Sequence, residues 1–70
     1  MMTTLADLVD AAEAIYRSRR SIGFSHVSAQ IVAAEWARYN RGDADATGRE
    51  INAAVAERVA TAAGEFADDE

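Results

Sequence analysis

Apolar residues recur every three or four positions in three runs along this chain, and glycine interrupts the pattern where a helix should stop. In the first run Leu5, Leu8, Val9, Ala12, Ile15 and Tyr16 make one narrow stripe, with Asp7, Asp10, Glu13 and Arg17 on the opposite side. Thr4, followed three residues on by Asp7, has the form of a capping box, so a helix is expected over about 4–20. Ser21-Ile22-Gly23-Phe24 breaks it. Gly23 suits the left-handed conformation of a tight turn, and Ser25 suits the cap of the next helix.

The second run predicts a helix over about 26–40, ended by Gly42. It has two apolar sides. Val27, Ile31 and Ala34 follow one line, Val32, Trp36 and Tyr39 another, and Ala29, Ala33 and Ala37 fill much of the rest. A helix of this kind is central in a fold or shared with a second chain. The pattern favours a central helix that also offers Trp36 and Tyr39 to a partner, although in a domain with few aromatics Trp36 is expected in the core. The third run is the clearest. Thr47 and Glu50 complete a Thr-x-x-Glu capping box, and Ile51, Val55, Val59, Ala62 and Phe66 follow at helical spacing over about 47–67. Glu50, Glu57, Thr61, Glu65 and Asp68 fall on the reverse side. The final acidic residues, 68–70, are expected to fray.

Proline is absent and no run alternates with the period of a strand. The expectation is therefore all-α: a small three-helix bundle forming a single domain over residues 1–70. A chain of 70 residues buries only about 60% of its unfolded surface and usually needs a staple. With no cysteine there is no disulfide and no thiolate site, and the single His26 is too little for zinc. Packing and self-association are what remain, so a homodimer is in view. No metal and no cofactor are expected. The N-terminus lacks the features of a secretory signal, no run is long enough for a membrane span, and a cytoplasmic location is the default.

Charge is arranged in blocks. Residues 1–16 carry Asp7, Asp10 and Glu13 without a base, residues 17–41 hold five arginines against Glu35, and the remainder is strongly acidic, for a net charge of −5. Lysine is absent, so every cation is a planar guanidinium suited to carboxylate or phosphate. No glycine-rich phosphate loop, metal motif or nucleophile–base pair appears, and an enzyme is not expected.

Two functional expectations follow. In the first, Asp7, Asp10 and Glu13 on the first helix and Glu50, Glu57, Glu65 and Asp68 on the third form carboxylate-rich faces. These would approach a partner protein with a basic, possibly nucleic-acid-binding, surface, with Trp36 and Tyr39 as anchors. The protein would then inhibit or regulate that partner. In size and charge the chain resembles the short acidic inhibitors of phage and mobile elements, anti-CRISPR proteins among them. In the alternative, residues 22–32 resemble the Leu-Gly-Val-Ser turn and recognition helix of helix-turn-helix proteins. That resemblance implies that Ser25, His26, Ser28 and Gln30 face DNA while Arg17, Arg19, Arg20 and Arg38 contact phosphate. Here Ser18 and Arg19 stand where that motif has an aliphatic residue and alanine. A third expectation is a structural homo-oligomer subunit built on the central helix.

Overall fold

The computed structural model describes residues 3–66. Three helices pack on one another: α1 (Leu5–Ser21), α2 (His26–Tyr39) and α3 (Gly48–Ala63). The chain is an all-α three-helix bundle. Among the described residues there is no strand.

The helix starts follow from their caps. Thr4 Oγ1 accepts from Asp7 N–H at 3.1 Å while Thr4 N–H donates to Asp7 Oδ2 at 3.4 Å. Thr47 and Glu50 repeat the exchange at 3.1 and 2.8 Å, and Ser25 Oγ accepts from Ser28 N–H at 3.1 Å. Each cap satisfies donors that the first turn leaves without an intrahelical partner. The turns between helices use positive φ, +105° at Gly23 and +58° at Gly42, conformations that a side chain resists. α3 ends at Ala63 rather than running to 67. Gly64 is a poor helix former, and the chain tightens there through Glu65 N–H to Ala62 C=O and Phe66 N–H to Ala63 C=O. Phe66 thereby meets the Tyr16 ring edge-on at 6.1 Å. The expected fraying of 68–70 lies outside the described residues.

The core is small and rich in alanine. Leu8, Val9, Tyr16, Ile51, Val55 and Val59 supply its bulk from α1 and α3. α2 contributes Ala29, Ala33, Ala34 and Ala37 and no larger buried residue. Ala44 and Ala46 pin the α2–α3 loop into the same core.

α2 therefore departs from expectation. The alanines meant as filler form its inward face together with Ala34, and the larger residues read as its two apolar sides turn outward: Val27 is 63%, Ile31 53% and Tyr39 90% exposed. Trp36, expected in the core, is 37% exposed. The cause is steric. Ala29, Ala33 and Ala37 form one row at four-residue spacing, and methyl side chains let α2 sit close against α1 and α3. Branched or aromatic residues facing inward would hold it away and overfill the seam.

Candidate functional site: the outer face of α2

α2 turns a continuous set of large side chains to solvent. Near its C-terminal end Val32, Glu35, Trp36, Arg38 and Tyr39 line an open cleft of about 560 Å³. Around the helix, Ile31, Ala34, Arg38 and Gln30 form one wall of a second groove of about 540 Å³, closed by Arg49, Asn52, Ala53 and Ala56 of α3. Arg38 borders both depressions, and its Nη1 donates to Asn52 Oδ1, which holds the guanidinium over the α2–α3 boundary. Near the end of α2, Asn40 caps the Trp36 carbonyl through its side-chain amide at 2.8 Å. This fixes the last turn, where Trp36 and Tyr39 project.

The carboxylates behave differently. Arg58 Nη1 donates to Asp10 Oδ1 at 2.8 Å and to Glu13 Oε1 at 2.9 Å. Arg17 donates from Nε to Glu13 Oε2 at 2.9 Å and grips Glu65 with both terminal nitrogens, at 2.7 and 3.0 Å. These bonds tie α1 to α3 and to the residues after it. Bonding from Arg58 and then Arg17 holds the Glu13 carboxyl below the usual carboxylate range. Arg17 does the same for Glu65. In return Asp10 and Glu13 raise the Arg58 guanidinium, while Glu65 and Glu13 raise that of Arg17.

So the acidic residues singled out from the sequence are largely occupied within the bundle. Asp7 and Glu50 cap helices, Asp10 and Glu13 bond Arg58, and Glu65 bonds Arg17. Glu57 is exposed, beside a shallow groove of Leu5, Ala6, Val9, Ala54, Arg58 and Thr61. Asp68 lies outside the described residues. Each helix in fact carries equal numbers of acids and arginines, and the surplus acids sit elsewhere. Asp43 and Asp45 share the α2–α3 loop with Arg41, while Glu65, Asp68, Asp69 and Glu70 follow α3.

The residues of the helix-turn-helix resemblance also have structural tasks. Ser25 caps α2, and His26 Nδ1 bonds the hydroxyl of the fully buried Tyr16 at 2.8 Å. Gln30 is half-buried at the α2–α3 groove, and Ser28 is exposed. Arg19 lies over the Phe24 ring at 5.5 Å and Arg20 over Phe66 at 5.1 Å. Arg20 also donates to the Phe24 carbonyl at 3.1 Å.

Sequence reasoning found Val32, Trp36 and Tyr39 on one line but missed that Val27, Ile31 and Glu35 are exposed beside them. The row Ala29, Ala33, Ala37 was the signal, because small residues at four-residue spacing mark the side of close approach. It also missed Arg58, whose place three residues after Val55 puts a cation at the edge of the apolar stripe. Among the described residues no cluster of His, Cys, Asp and Glu is arranged to hold a metal, and no helix is long and apolar enough to cross a membrane. No protein-family model matches this chain, and neither the curated proteins nor the solved structures yield a significant match.

Proposed function

We propose that this chain is a cytoplasmic protein-binding module that inhibits or regulates a partner with a basic surface by docking on it through the outer face of α2. The observation that carries the reading is the inversion of α2: alanines inward, Val27, Ile31, Val32, Trp36 and Tyr39 outward. Large side chains left in water forgo about 1.5–3 kcal/mol each relative to burial. A chain that leaves Val27, Ile31, Trp36 and Tyr39 exposed on one helix, with half-buried Val32 beside them, has a surface suited to being covered. Trp36 and Tyr39 are the residue types that dominate binding energy, and their last turn is fixed by Asn40. Asp43 and Asp45 in the adjoining loop, with the acids after α3, attract a basic surface and speed encounter. The carboxylates bonded to Arg17 and Arg58 are reserved for the fold.

The test places a photoreactive benzoylphenylalanine at Tyr39 in the cells that make the protein. Irradiation should yield a dominant adduct with a second protein, lost when Trp36→Ala is added. Its rate of association should fall as salt rises. Adducts indifferent to Trp36→Ala, or none, overturn the reading. A random DNA duplex titrated at low salt should show no binding, and salt-sensitive binding there would favour the DNA-binding alternative instead.

A further inference from the structure

The same face has the properties of an interface with itself. We propose that, in the absence of its target, the protein pairs with a second copy through antiparallel crossing of α2 near Trp36. The proposal takes its surface from the docking reading above and adds the occupant of the free protein and a form of regulation. Dimer and target use the same side chains, so one excludes the other.

Three features favour a second copy. The first is charge. α2 carries Glu35 and Arg38 as its only formal charges, both exposed on the outward side. They lie three residues apart on neighbouring turns. An antiparallel crossing with its two-fold axis between them sets Glu35 against the partner's Arg38, and Arg38 against the partner's Glu35. The arrangement is self-complementary, as a two-fold interface requires. The second is the balance of charge along the helices. Each helix carries equal numbers of acids and arginines, so two copies that meet helix to helix bring no net like charge together on the helices themselves.

The third is stability. α2 buries only methyl groups in its own bundle, so each inward position contributes less than a leucine or valine would. A chain of 70 residues without disulfide or metal gains what it lacks by covering Val32, Trp36 and Tyr39. The size of the contact sets its strength. Fourteen residues span about 21 Å. One such helix crossing its equal buries less than the roughly 1,200 Å² of a standard interface. A dissociation constant in the micromolar range is expected, weak enough for a target to displace one copy.

Sedimentation velocity on the intact protein tests this, with emission from the single tryptophan, Trp36, as a local reporter. The expected result is a concentration-dependent monomer–dimer equilibrium, with Trp36 emission moving to the blue as dimer forms. Tyr39→Asp, at a position remote from the core, should weaken association at least tenfold while helicity is unchanged. Trp36→Asp should do the same. The charge pair gives the sharper test. Glu35→Arg alone and Arg38→Glu alone should each self-associate at least tenfold more weakly, while an equimolar mixture of the two forms a heterodimer.

A monomer at concentrations up to about 1 mM overturns the proposal. So does a dimer indifferent to Tyr39→Asp and Trp36→Asp, or a mixture of the charge variants that does not pair. These outcomes are separate from the docking reading, which stands or falls on the photoadduct at Tyr39. A monomer that still gives a Trp36-dependent adduct with another protein keeps the docking face and removes the dimer.

Discussion

Along the α1–α3 seam, Arg58 and Arg17 spend their guanidinium donors on Asp10, Glu13 and Glu65, and the apolar side chains beneath are covered. On α2 the arrangement is reversed. Alanines pack inside, Val27, Ile31, Trp36 and Tyr39 are exposed, and Glu35 has no ion pair among the described residues. The first region has the character of a finished interior with its charges answered. The second resembles half of an interface. Along the seam charge holds two helices together, whereas the outer face of α2 is mainly aromatic and aliphatic.

That contrast can be broken in several ways, the most severe being enlargement of the inward face of α2. Ala33→Leu, at a position with no exposure, should overpack the seam and cost about 1–3 kcal/mol, read from the midpoint of chemical denaturation. An unchanged midpoint would show that α2 is free to move outward. Next is the buried contact between α1 and α2. Tyr16→Phe removes the hydroxyl bonded to His26 Nδ1 and should cost about 1 kcal/mol by the same measurement.

The seam's charges are sharpened by pH. Glu13 and Glu65 are held below their ordinary values when folded, so the stability they contribute is present above the unfolded-state value. It is lost as pH falls through the folded one. Thermal stability should therefore fall below about pH 5, and less steeply in Arg17→Gln, which removes the partner of Glu65 and one of the two partners of Glu13. Because these pairs are exposed, added salt should weaken the effect. The smallest effect is expected at the outer face. Trp36→Ala in dilute protein should change stability by no more than about 0.5 kcal/mol, since that side chain lies outside the core. A loss several times larger would return Trp36 to the fold and remove it from the candidate surface.

The stripes of α1 and α3 were legible in the sequence because one side was apolar and the other charged, which leaves a single way to face a core. Both capping boxes and both turn glycines were legible for the same local reason: each is decided within four residues. α2 was not, since its apolar residues lie on two lines and its alanines fit either an interior or a surface. Of the candidate surface, the line of Val32, Trp36 and Tyr39 was legible, whereas the exposure of Val27, Ile31 and Glu35 beside it was not.

By itself the sequence determined three helices, their starts, the turns between them and the inward sides of the first and third, all set by contacts between near neighbours in the chain. Only the tertiary structure decided which side of α2 turns inward, because that depends on how closely α1 and α3 allow a third helix to approach. It also decided the fate of the acids. Arg58 reaches Asp10 across 48 positions of the chain and Arg17 reaches Glu65 across another 48. No periodicity within a helix records a bond between residues that folding alone brings together.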